Sequence, residues 1–135
     1  MRDAIEVHQW EGDSFRPLVF TPGWQVAILN WEDQFARSDL REIERHNQTD
    51  EVFVLIRGQA AIFTCTDAGL ITVTPMQAGV IYNVPAGLWH NLLATPDVSF
   101  IIVESRDTHL HDTEIRPLAP AEIAQIDAQL PEWAK

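Results

Sequence analysis

Hydrophobic residues along most of this chain come in short runs, broken at roughly 8–12-residue intervals by Gly, Pro, Asn or Asp, the rhythm of an all-β domain. Trp24 to Trp31 is rich in strand formers (Val26, Ile28) and follows a Pro22-Gly23 turn. Leu40 to His46 alternates, with Leu40, Glu42, Glu44 and His46 on one face and Arg41, Ile43 and Arg45 on the other. Asn47 to Asp50 reads as a turn built on local side-chain-to-backbone bonds. Glu51 to Ile56 is apolar on both faces, so both are expected to be covered. Further strands are predicted over 60–66, 70–74, 80–84, 89–93 and 98–104, with turn residues between them. Strands this short and this closely spaced predict a sandwich or barrel.

The ends of the chain read differently. Residues 1–23 carry Trp10, Phe15, Leu18, Val19 and Phe20 among Gly12, Pro17, Pro22 and Gly23, which predicts an N-terminal arm of one or two short strands. Residues 105–117 are charged and predicted to be irregular. Over 118–131 the pattern turns helical: Pro120 suits a first turn, Ile123, Ile126 and Leu130 form one stripe, and Pro131 stops it. At 135 residues, all of this is expected to form a single domain.

Charge and cysteine content narrow the setting. The formal net charge is -11. Such a surface repels nucleic-acid phosphates and anionic membranes, so no nucleic-acid or membrane partner is expected; the acidity also serves solubility. The lone Cys65 lies in an apolar stretch, cannot form an internal disulfide, and is expected to be a buried, inert thiol. The opening Met1-Arg2-Asp3-Ala4-Ile5-Glu6 lacks the apolar region of a signal peptide, and the apolar runs are too short to span a bilayer. A cytoplasmic protein is expected.

Candidate chemistry falls on two stretches. Glu44 and His46 are two apart on one strand, so their side chains point the same way. A tight turn then returns Glu51 beside them. His90 follows a Pro85-Ala86-Gly87 bend at the end of another strand. Two imidazoles and two carboxylates converging in a barrel suit a divalent Zn, Fe, Mn, Ni or Cu ion, and the carboxylates neutralise its charge. The same groups can do acid/base work, with Glu44, His46 and His90 as the catalytic candidates. Phe53 and Leu55 share the parity of Glu51 and are expected to line the pocket, as are Tyr82 and Trp89 nearby in sequence. His109-x-His111 also has strand-ligand spacing, but its charged surroundings predict a surface position.

These two stretches resemble the paired motifs of the cupin superfamily. Glu44-x-His46-x4-Glu51-x6-Gly58 is similar to the first motif, with Glu44 where its first His stands and Ser38 at its opening Gly. Gly79-x5-Pro85-x-Gly87-x2-His90 is similar to the second, with Val80 after the opening Gly and Ala94 at the closing Asn. The resemblance spans residues 38–94. It implies a small double-stranded β-helix, or jelly-roll barrel, often dimeric, with a metal held by Glu44, His46, Glu51 and His90.

It further implies a metal-dependent enzyme of isomerase, lyase or dioxygenase type acting on a small polar or acidic metabolite. The alternatives are a non-catalytic module that binds or senses a small ligand, and a metal-free enzyme similar to ureidoglycolate lyase. Val52, Val54 and Ile56 point away from the barrel interior, so a homodimer is expected to cover them.

Overall fold

The structure is a computed structural model that describes residues 2–135; Met1, the first residue of the expected arm, lies outside the described residues. Ten strands follow the alternation in the sequence closely: β1 (Phe15–Phe20), β2 (Trp24–Leu29), β3 (Glu42–Arg45), β4 (Glu51–Arg57), β5 (Ala60–Cys65), β6 (Ile71–Pro75), β7 (Ile81–Val84), β8 (Trp89–Ala94), β9 (Ser99–Ser105) and β10 (Glu114–Pro117). Among the described residues two short α-helices, α1 (Thr108–His111) and α2 (Pro120–Asp127), and three 3-10 turns complete the secondary structure.

The strands form two five-stranded antiparallel sheets, ordered β1-β2-β9-β4-β7 and β10-β3-β8-β5-β6. Their inner faces share one core, in which Leu29, Phe53, Leu55, Phe100 and Ile102 of the first sheet meet Ile62, Leu92 and Ala94 of the second. This is the jelly-roll architecture that the strand rhythm and the paired motifs imply. One end of the sandwich is packed solid; the other opens into a pocket.

A second core lies on the outer face of the β10-β3-β8-β5-β6 sheet. Ile43, Ala61, Phe63, Cys65 and Leu93 pack there with Ile126, and Ile123, Leu130 and Trp133 lie against them. The helix that covers this face begins with Pro120 and is anchored by Glu122, whose carboxylate accepts the Ala119 N–H (2.8 Å) and two Arg116 N–H groups (2.8 Å each). Cys65 is a buried free thiol beneath it, with Sγ 3.3 Å from Glu122 Oε2.

The outer face of the other sheet has no such cover. Val26 and Val52 both pair with Val103, and Ile28 and Val54 both pair with Ile101. These residues are half-buried, Ile56 is 46% exposed and Ile81 71% exposed. Within this chain the inner side of β4 is buried and its outer side is half-buried at Val52 and Val54.

Two local readings are corrected. Residues 105–117 are not irregular: they hold α1 and the edge strand β10, whose Ile115 and Arg116 pair with Glu44 and Ile43 of β3. The strand was hidden because Glu114-Ile115-Arg116-Pro117 offers one apolar residue and a proline, and is a strand only because β3 presents a free edge. The 47–50 turn is held from a distance rather than locally. Asp112 accepts the Asn47 and Gln48 N–H groups (3.0 and 2.8 Å), while Asp50 accepts Asn83 Nδ2 (3.0 Å) and the Ala86 N–H (2.9 Å).

Candidate metal centre

The pocket is built by both sheets. Glu44 on β3 pairs directly with His90 on β8, so both side chains leave the sheet on the inner face. His46 follows immediately after β3. Glu51, the first residue of β4, reaches across from the opposite sheet.

The link between the two motifs is a backbone bond. Gly87, at φ +83°, donates its N–H to the His46 carbonyl (2.6 Å), which ties the Pro85-Ala86-Gly87 bend to the end of β3. Gly58 ends the first motif for a steric reason. At φ +78° a Cβ there would sit 2.8 Å from the Val98 Cα, inside contact distance.

Donor atoms of Glu44, His46 and His90 all lie within 4.8 Å of one another. Two donors ~2.1 Å from one ion are at most about 4.2 Å apart, so side-chain shifts of under about 1 Å would close the set. Both rings are turned the right way for a ligand. His46 Nδ1–H donates to the Asp112 carbonyl (2.8 Å) and His90 Nδ1–H to the Leu88 carbonyl (2.9 Å), which leaves both Nε2 atoms facing the pocket. His46 Nε2 is buried and has no aligned hydrogen-bond partner, although Glu51 Oε1 is 3.2 Å away. Among the described residues no hydrogen bond engages the Glu44 carboxylate. An orphaned imidazole nitrogen, a second imidazole and a free carboxylate fit a borderline divalent metal.

Glu51 stands beside this trio rather than within it. Its Oε1 takes a 3.0 Å hydrogen bond from His90 Nε2. The electrostatics follow from that contact in a dry setting. Burial alone would raise Glu51, but the two rings win and hold it down at about 2. Burial alone would lower His46, but Glu51, the Asp112 carbonyl and Glu44 outweigh it and push the ring up to about 9. His90 is raised against its burial by the same carboxylates. Burial raises Glu44, and Glu51 adds to this while the rings oppose it.

Three groups were missed in the sequence. Glu104 on β9 is 4% exposed and lies one step along the register from the Val52–Val103 pair, which sets it beside Glu51. Burial, then Glu51, pushes it up to about 8, so it carries a proton at neutral pH, and its Oε2 has no hydrogen-bond partner. Gln25, fully buried on β2, pairs with Glu104 in register and bridges it (3.4 Å) to His109 Nδ1 (3.1 Å). Alternation would have found the first two: Phe100, Ile102 and Glu104 share one parity, as do Gln25, Ala27 and Leu29. His109 is exposed, as expected, yet its ring also borders the pocket, where α1 turns it over Phe15 (5.0 Å between ring centres).

The expected pocket wall is only partly correct. Phe53 lines the cavity, stacked edge-on to His90 at 6.0 Å. Leu55 has the right parity but lies two residues deeper, inside the closed core. Tyr82 packs at the rim of that core and accepts the Gln77 N–H (2.9 Å). Trp89 points the opposite way from its neighbour His90, onto the outer face, where Arg45 and Arg116 stack on it at 4.5 and 4.9 Å. Adjacent strand residues face opposite sides, so nearness in sequence to His90 argues against sharing its pocket.

Comparison with known proteins agrees with the architecture. No protein-family model matches the sequence, and no curated protein matches it. Among solved structures, a cupin-2 domain protein of Shewanella frigidimarina is similar at 25% identity, over 72% of this chain and 85% of that one, with a TM-score of 0.54. A Streptomyces protein, PAC13, solved with uridine, is similar at 12% identity over 77% and 78%, with a TM-score of 0.56. HppE with Fe(II) and an alternative substrate is similar at 14% identity over 67% of this chain and 48% of that one, with a TM-score of 0.51. The chain has the fold of the cupin superfamily. Within that fold Glu44, His46 and His90 form a group whose donor atoms could hold a metal ion.

Proposed function

We propose that this protein is a small metal-dependent cupin enzyme acting on a small polar metabolite. The observation that carries the reading is the convergence of Glu44, His46 and His90, with both rings fixed by backbone carbonyls so that each Nε2 faces the pocket. These three would hold the ion. Glu51, expected as a fourth ligand, stands where it would steer the two rings and take up their charge. A divalent ion bound there supplies Lewis acidity toward a substrate carbonyl, enolate or hydroxyl.

The chain's own residues supply the rest. Glu104 keeps a proton at neutral pH beside Glu51 and can donate it to an oxygen seated in the pocket. Phe53 and Leu92 give it apolar walls. Isomerase, lyase and dioxygenase chemistries all suit such a site.

One observation favours a second reading. The hydrogen bond from His90 to Glu51 already forms an internal ion pair, which suits a metal-free acid/base enzyme using Glu44, His46 and His90. A non-catalytic module would use the same cavity for binding alone. Metal analysis of protein purified without added metal decides: near-stoichiometric Zn, Fe, Mn, Ni or Cu supports the first reading, and a metal-free protein that takes up none of these on titration excludes it.

The wider setting belongs to the same proposal. A cytoplasmic location accords with a single buried free cysteine. Among the described residues no helix is long and apolar enough to cross a membrane. A homodimer would cover the bare outer face of the β1-β2-β9-β4-β7 sheet.

A further inference from the structure

We propose that Asp112 is a positioning residue that aims the His46 ring, so that the segment 107–113 at the pocket mouth, and not the motif around His46, sets that ligand in place; the inference rests on the reading of Glu44, His46 and His90 as a ligand set. The two rings are held in different ways. His90 Nδ1–H bonds the Leu88 carbonyl two residues back (2.9 Å), so the second motif orients its own histidine. Among the described residues, His46 Nδ1 has no partner within its own motif. Its partners are the Asp112 carbonyl (2.8 Å) and the Thr113 hydroxyl (3.3 Å), 66 and 67 positions away.

Asp112 grips the same stretch a second time through its side chain. The carboxylate accepts the Asn47 N–H (3.0 Å) and the Gln48 N–H (2.8 Å). One residue therefore fixes the ring of His46 and the backbone of the two residues after it. Hydrogen bonds to a carboxylate are shorter and about twice as strong as those between neutral groups.

Thr113 supports the same orientation. Its hydroxyl donates to the Thr108 carbonyl (3.2 Å), so toward His46 it accepts. Two acceptors thus face Nδ1–H, and the ring atom left to bind is the buried, unpartnered Nε2.

The segment that carries these acceptors is pinned at both ends. The Asp112 N–H donates to the Thr108 carbonyl (2.9 Å), which closes α1. The Asp107 N–H donates to Oε1 of the fully buried Gln25 (3.1 Å). Between them, His109 borders the pocket, as does Thr113 just beyond. A displacement of the mouth is therefore passed to the His46 ring through Asp112.

The test uses the full chain with Asp112→Ala, Asp112→Asn and Thr113→Val. Zinc affinity is measured by calorimetry at pH 7, and the His46 Nδ1–H resonance is followed by NMR in isotope-labelled, zinc-stripped protein. In the wild-type protein that proton is expected to be protected from solvent exchange. Asp112→Ala should lose the resonance and weaken zinc binding about 10–100-fold, the usual loss when the partner of a ligand ring is removed. Asp112→Asn, which keeps a side-chain acceptor for the turn, should retain most of both. Thr113→Val, which removes the more distant acceptor, should lose less than Asp112→Ala. The double change of Gln125 and Gln129 to Ala on α2 is the control for lost stability: a purely structural Asp112 would behave as they do, with weaker resistance to urea and wild-type zinc affinity.

Two results overturn the proposal: a wild-type Nδ1–H that exchanges freely, or an Asp112→Ala protein that binds zinc as the wild type does. The first is read without any variant, so it stands even if Asp112→Ala does not fold. Zinc uptake by the wild type separates this from the site reading. A wild type that takes up no zinc, with the ring proton protected and lost in Asp112→Ala, sinks the metal alone. Tight zinc binding that Asp112→Ala leaves intact sinks the positioning role alone.

Discussion

Glu44 is the residue on which the chemistry of this site turns. It occupies a histidine position of the cupin motif, pairs in register with His90, and is free of hydrogen bonds. His90 is held more firmly, by Leu88, by Glu51 and by the Gly87 bend that precedes it. His90→Ala is therefore expected to abolish divalent-metal binding, and Glu44→Gln to weaken it less, as read by calorimetric zinc titration.

Glu51→Gln should cost about 10–100-fold in affinity, the usual loss when a carboxylate that steers ligand rings is removed. The pH dependence has a definite sign. The ring of His46 is up at about 9 in the folded protein against about 6.5 unfolded, so its contribution to stability is complete below 6.5 and is lost as pH rises through about 9. Metal must displace that proton. Zinc affinity of the folded protein should accordingly keep rising from pH 6 to about 9; a plateau already at pH 7 would show that the ring is not held protonated. A free imidazole would put metal release nearer pH 5, and Glu51 moves it upward.

At the scale of elements, what the sequence showed and what it hid have one cause. Nine strands could be read because each carries its own alternation or apolar run. The tenth, β10, has neither and depends on the edge of β3. In the same way, motif spacing revealed Glu44, His46, Glu51 and His90, while Glu104 and Gln25 belong to no motif and matter only because β2, β9 and β4 lie side by side. Trp89 was misplaced by giving weight to nearness over parity.

The helix α2 adds a feature that its apolar stripe does not disclose. Its Gln125 accepts the Ile71 N–H (3.1 Å) and donates to the Gly69 carbonyl (3.2 Å). One turn on, Gln129 accepts the Val73 N–H (3.1 Å) and donates to the Ile71 carbonyl (3.0 Å). Two side-chain amides thus act as the missing neighbour of the edge strand β6, blocking pairing with another chain. Changing both to Ala should cost about 1–3 kcal/mol in urea unfolding, since partly buried backbone groups lose their partners, and should raise aggregation. Zinc affinity should be unchanged, because α2 lies on the far side of its sheet from the pocket.

The whole molecule is asymmetric. One sheet is roofed by α2 and the C-terminal residues, and the other shows a stripe of Val and Ile with polar margins. In a dimer two such stripes would meet, burying ~800 Å² per subunit if the interface is of standard size. Val54→Glu, at the centre of the stripe, is expected to give a monomer by light scattering at micromolar concentration, with the fold retained by circular dichroism. Two subunits of charge -11 repel, so association should tighten as salt screens them. A wild-type protein that stays monomeric at high salt would rule the dimer out.

The pairing of Gln25 with Glu104, of Glu44 with Ile115, and of the His46 ring with the Asp112 carbonyl also bears on when the site comes into being. Each joins residues some 65 to 80 positions apart, so none can form on the ribosome until most of the chain has emerged. A topology of such distant pairings folds in milliseconds to seconds. The expectation is that the ligand set is completed after the rate-limiting step, so that an ion has nothing to grip in the transition state. Zinc should leave the refolding rate in stopped-flow mixing untouched and slow only unfolding, so that whatever occupies this pocket acts as a latch on a finished protein rather than as a seed for making one.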